Sequence, residues 1–150
     1  MRFRLNLDGQ RWCIISVWFV CLIANLTLVL YLDSSQYRPI DAPPETWREP
    51  INKLYLDLLA IYAPPLTTML AIGFARKPNS SPRQRSSAPY VFAICASLLW
   101  NGIVIVQNSR LSVFHTLDIQ SFAGFLPILP GGLSFLVTPF LAFYFSSEQS

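Results

Sequence analysis

Few side chains in this sequence have the type and spacing to do chemistry. Asp57 stands four residues after Lys53, His115 stands three before Asp118, and the thiols are Cys13, Cys21 and Cys95. On a helix, residues three or four apart share a face. Asp57 could therefore act as an intramembrane proton or cation site, or pair with Lys53 to fix the depth of a helix. The pair is the expected reading, because an unpaired carboxylate at the bilayer centre costs about 2.5–3.5 kcal/mol. A histidine beside a carboxylate could sense pH or act as a base. No serine or cysteine nucleophile accompanies His115 at a recognisable spacing, so a solvated pair is expected there.

The three cysteines lack CxxC spacing and lie in apolar surroundings, which implies small hydrophobes and neither a disulfide framework nor a metal site. HExxH, GxSxG and phosphate-loop patterns are absent from the sequence, as are paired carboxylates within an apolar run. Catalysis is therefore not expected, and no cofactor or metal is implied.

The elements that must position these groups are apolar blocks. The chain is 53% hydrophobic and 13% charged, against about 25% charged residues in an ordinary soluble domain. Its charges fall almost entirely between four long runs, at about 13–32, 54–74, 88–107 and 122–145. Each approaches the ~20 residues a helix needs to cross ~30 Å of hydrocarbon. The sequence predicts an all-α membrane protein of four transmembrane helices, forming a single domain over residues 1–150. A net charge of +3, divided along the chain, gives no footprint for nucleic acid.

The first run, CIISVWFVCLIANLTLVLYL, is longer than the apolar stretch of a signal peptide and leaves through Tyr31, Leu32 and Asp33, so it is expected to stay as an anchor. Between the second and third runs lies ARKPNSSPRQRSSAP, with Arg76, Lys77, Arg83 and Arg85 and no acid. This segment and the N-terminal one together hold seven Lys and Arg, and the opposite side holds Arg38, Arg48, Lys53 and Arg110. Positive residues mark cytoplasmic loops. Both termini and the 75–87 loop are thus expected in the cytoplasm, in a bacterial inner membrane. Glycosylation at Asn79-Ser80-Ser81 would contradict that orientation. Trp12, Trp47, Tyr31, Tyr37 and Tyr90 lie near predicted span ends, as in an aromatic belt.

Departures from a plain anchor carry the functional signal. Pro64 and Pro65 interrupt the second span and deprive the Ala60 and Ile61 carbonyls of their i+4 donors. Pro127, Pro130, Gly131, Gly132 and Pro139 fall in the fourth, where LPGGLS predicts a break. Helices 2 and 4 are therefore expected to be kinked or broken, with Pro64, Pro65, Pro130, Gly131 and Gly132 as hinge candidates. Residues 122–129 could alternatively lie along the interface. Ala93, Ser97 and Asn101 stack on one face of the third span, a small and polar stripe that lets helices approach and bond. Asn25 and Thr27 are the expected partners, and Asp57, Asn101 and Asn25 are the candidate intramembrane polar or pore positions. The segment from Asp33 to Pro50 is expected to be an extended loop, with Thr46–Glu49 capping the second helix.

Two function classes follow. One is a non-catalytic membrane subunit that forms homo-oligomers or pairs with a soluble cytoplasmic protein through Arg76, Lys77, Arg83 and Arg85, as a sensor or signalling component. Small bacterial four-span proteins accompany effectors in this way, including in phage defence, and that analogy is one of architecture. The other is an oligomeric pore that depolarises the membrane. A small transporter is a weaker third reading. Size and span count are similar to those of four-helix multidrug exporters, but those need a carboxylate in the first helix and this first span has none.

Overall fold

A computed structural model of the chain describes residues 7–34, 44–74, 87–114, 119, 121–128, 137 and 141. Three long helices dominate: α1 (Leu7–Ser34), α2 (Pro44–Phe74) and α3 (Ser87–Ser112). Their 28, 31 and 26 residues give lengths of about 40–46 Å at the α-helical rise. Each exceeds the ~30 Å of hydrocarbon in a bilayer. Among the described residues these three helices are long and apolar enough to cross a membrane.

Each helix carries apolar side chains on most of its circumference, α2 from Leu54 onward apart from Asp57, but buries only one strip. On α1 this strip is Arg11, Ile14, Ile15, Trp18, Asn25, Val29 and Leu32, on α2 Ile51, Leu54, Leu58, Tyr62, Leu66 and Met69, and on α3 Ala93, Ser97, Trp100, Asn101, Val104, Asn108, Leu111 and Ser112. Spacings of three, four and seven keep each strip on one helical face. The opposite faces expose Phe19, Val20, Ile23 and Leu30 on α1, Leu56 and Leu59 on α2, and Phe92, Leu98, Leu99 and Val106 on α3. Large apolar side chains on the outside of every helix suit hydrocarbon as solvent. Trp12 and Tyr31, near the two ends of α1, are also exposed, where amphipathic rings favour the interface.

α1 packs against both α2 and α3. Trp12 meets Phe74 edge to face at 5.7 Å, while Trp18 and Asn25 both meet Tyr62, so α1 and α2 are antiparallel. Trp18 bonds Ser97 and Asn25 bonds Asn108, so α1 and α3 advance in the same direction. The N-terminal end of α1 thus lies beside the C-terminal end of α2.

α2 begins earlier than the sequence suggests, because Pro44 to Pro50 are helical where an extended loop is expected. A proline in the first turn removes an N–H that has no partner there, and Pro50 forfeits only one further bond, to the Thr46 carbonyl. The Thr46–Glu49 box consequently lies inside the helix and not at its cap. α2 also stays helical through Pro64 and Pro65. α3 runs on to Ser112, past the expected end at Gln107, and its last turn closes where the Ser109 carbonyl accepts from the N–H groups of Val113 and Phe114 at 2.9 and 3.1 Å.

After α3, residues 121–128 are helical. Phe122 and Leu126 from this stretch, with Val137 and Leu141 beyond it, join the same buried core. Most of the expected fourth span, including Pro130, Gly131 and Gly132, lies outside the described residues.

Candidate functional site: a buried amide and hydroxyl network

The polar side chains of the three helices converge on one another. Asn25, Ser97, Asn108 and Ser112 are wholly buried and Asn101 is 1% exposed, and Tyr62 is buried with them. Starting from the end of α3, Ser112 Oγ donates to Asn108 Oδ1 at 3.0 Å. Asn108 Nδ2 donates to the carbonyl oxygen of Asn25 at 3.0 Å and to its Oδ1 at 2.9 Å. Asn25 Nδ2 donates to Tyr62 Oη at 3.1 Å and to the Cys21 carbonyl at 2.9 Å. Tyr62 Oη donates to Asn101 Oδ1, and Asn101 Nδ2 to the Ser97 carbonyl, both at 2.8 Å. Every bond is oriented the same way, from Ser112 toward Ser97. On α3 the chain covers about 22 Å of helix rise.

A continuous run of like-oriented bonds is mutually polarising, and a low-dielectric interior strengthens each of them. It is not a proton path. Relay requires each member to take up one proton and release another, and an amide nitrogen is not basic enough for that. The network instead fixes which helix faces meet and at what height. Bonds between membrane helices average about 0.6 kcal/mol and reach about 1.7. The larger consequence is for misplacement, since a one-turn slip would strand several amides in hydrocarbon.

Aromatic rings reinforce the same level. Trp18 and Trp100 stack at 4.8 Å and 27°, and Tyr62 stands edge-on to both, at 5.7 and 5.2 Å. Edge-on and offset pairs each contribute about 0.5–1.5 kcal/mol beyond the area they bury. Trp18 Nε1 donates to Ser97 Oγ at 3.0 Å, so the indole is held at its rim as well as its face. Tyr62 is the hub: its ring touches α1 and α3 and its hydroxyl bonds both.

Asn25 and Asn101, read from the sequence as candidate polar positions, are joined through Tyr62 rather than directly. The Ala93, Ser97 and Asn101 stripe is buried as expected. Thr27 is not a partner; it is exposed and donates to the Ile23 carbonyl of its own helix at 2.8 Å. Asp57 is half-buried and Lys53 exposed, and no ion pair joins them. The expected pair gains little near water and costs the rotamer freedom of a long side chain, so the lysine stays solvated. Pro64 is exposed and Pro65 half-buried.

Arg76, Lys77, Arg83, Arg85, Pro130, Gly131, Gly132, His115 and Asp118 lie outside the described residues. Among the described residues no three His, Cys, Asp or Glu side chains come together. The three thiols are free.

Sequence reasoning passed over Tyr62, Asn108 and Ser112. The signal was present. Asn108 follows Asn101 by seven and Ser112 follows Ser97 by fifteen positions, which continues one helical face. A tyrosine in the middle of a span also departs from the rule that places tyrosines at span ends. No family model, no curated protein and no solved structure matches this chain.

Proposed function

We propose that the chain is a non-catalytic membrane subunit, in which the buried polar network holds the helices in register and exchange with other proteins takes place at its cytoplasmic end. One observation carries this reading: the amides and hydroxyls inside the bundle satisfy one another, from Ser112 to the Ser97 carbonyl. A path for an ion or a polar solute needs polar groups turned toward an open lumen, and the carboxamides of Asn25 and Asn101 are turned instead to neighbours in the same chain. The basic run Arg76, Lys77, Arg83 and Arg85 follows α2 directly in sequence and offers four cations to an acidic surface on a soluble partner, with oligomerisation of the chain in the membrane bringing several such runs together.

Affinity purification from detergent-solubilised membranes tests the reading, alongside reconstitution into planar bilayers. A soluble protein should co-purify and be lost when Arg83 and Arg85 are changed to Gln, and the bilayers should stay silent. Stepwise conductance that responds to Asp57→Ala or Gly131→Leu would overturn it in favour of an oligomeric pore.

A further inference from the structure

Pro64 and Pro65 remove two consecutive main-chain donors from α2. The Ile61 carbonyl is affected most. Its i+3 and i+4 neighbours are both prolines, which leaves only Leu66, through a wider turn. The Ala60 carbonyl loses its i+4 and i+5 donors and keeps only Ala63. Immediately beyond, the single Thr67 hydroxyl hydrogen is shared between the Ala63 and Pro64 carbonyls, with Oγ1 at 2.8 and 3.0 Å from them, and Thr68 Oγ1 donates to the Pro64 carbonyl at 2.8 Å. Such back-bonding loosens and bends helices. Immediately before stands Tyr62, the α2 side chain whose hydroxyl bonds both Asn25 and Asn101.

We infer that residues 60–68 form a swivel in α2 and that the Tyr62 hydroxyl is its latch. On the N-terminal side, α2 is pinned by bonds to both neighbouring helices. On the C-terminal side, Leu66 and Met69 hold it through apolar burial and Phe74 through its edge-on contact with Trp12. Lipid is as apolar as Leu66 and Met69, so their burial adds little hydrophobic drive in a membrane, and among the described residues the Trp12–Phe74 edge is the one directional tie on this side. The latch anchors the Tyr62 end of the swivel; with it broken, residues 60–68 lose their polar anchorage to α1 and α3, and the Leu66–Phe74 half shifts with them away from the start of α1. The basic run follows Phe74 in sequence; only a role for that run rests on the subunit reading, and the swivel stands without it.

The test uses the full chain in lipid bilayers, with Cys13, Cys21 and Cys95 replaced by Ala and cysteines introduced by Trp12→Cys and Phe74→Cys. A short bismaleimide then reports how often the two helix ends meet. Tyr62→Phe should slow cross-linking about fivefold, as expected for the loss of one or two membrane-buried bonds. Asn101→Ala, which removes the acceptor of the same latch, should do likewise. Adding Pro64→Ala and Pro65→Ala to either variant should restore the rate to within about twofold, because a continuous helix has no swivel to release. An unchanged rate in Tyr62→Phe would overturn the proposal. So would a loss that persists after the prolines are removed, since that reports general loosening of the bundle.

Discussion

Tyr62 Oη and Asn101 Oδ1 stand 39 positions apart in sequence and 2.8 Å apart in space. Tyr62 therefore gives α2 a bond to α3 in a bundle where α1 packs against both other helices. The same hydroxyl accepts from Asn25 on α1, so one oxygen stitches three helices at one level. A double-mutant cycle of Tyr62→Phe and Asn101→Ala should give a coupling of about 0.6 kcal/mol, and no more than about 1.7. Unfolding titrated with a denaturing detergent in mixed micelles measures it. Additive effects would mean that the contact contributes nothing.

Asn108 ties the end of α3 to α1, donating twice to Asn25 and accepting from Ser112. Asn108→Leu leaves Asn25 Oδ1 buried and without a donor, which costs about 1–3 kcal/mol. Thr27→Val, on the exposed side of α1, removes only a bond to its own helix and should change stability by less than about 0.5 kcal/mol. The same unfolding assay ranks the two. A Thr27 effect equal to that of Asn108 would mean that burial does not set the energetics here.

These contrasts show what the sequence discloses and what it withholds. Uncharged length alone discloses α1, because twenty residues without a charge have few other fates. The Ala93, Ser97 and Asn101 face is legible from its period of four. The partner of Asn101 is not, because it is a tyrosine on α2, and a mid-span tyrosine marks a departure without saying which helix its hydroxyl meets. The length rule also cut α3 short at Gln107, so Asn108 and Ser112 fell into an assumed loop. A helix continues past the hydrocarbon when its next polar residues find partners, and only packing reveals that they do. The start of α2 at Pro44 was hidden by prolines, which break helices in the interior but suit a first turn.

Lys53 and Asp57 supply a prediction of absence. They share a helical face but form no ion pair. A double-mutant cycle with Lys53→Gln and Asp57→Asn should therefore return a coupling below about 0.3 kcal/mol, the size expected for independent sites. A coupling above about 1 kcal/mol would show that the pair forms in the bilayer.

Cys95 is exposed on α3 and Cys21 half-buried on α1, and both lie well inside the membrane-spanning stretches. A charged maleimide reaches a thiol only through water, and hydrocarbon excludes both. Exposure on the surface of the bundle is thus exposure to lipid, not to water. In intact membranes a charged, impermeant maleimide should leave both unlabelled, whether added from one side or, after permeabilisation, from both. After denaturation in SDS both should label fully. Rapid labelling of Cys95 in the native state would mean that water reaches the outer face of α3, as it would beside an aqueous pore. That outcome would favour the conducting reading over the subunit reading, and it would do so at a residue the polar network does not touch.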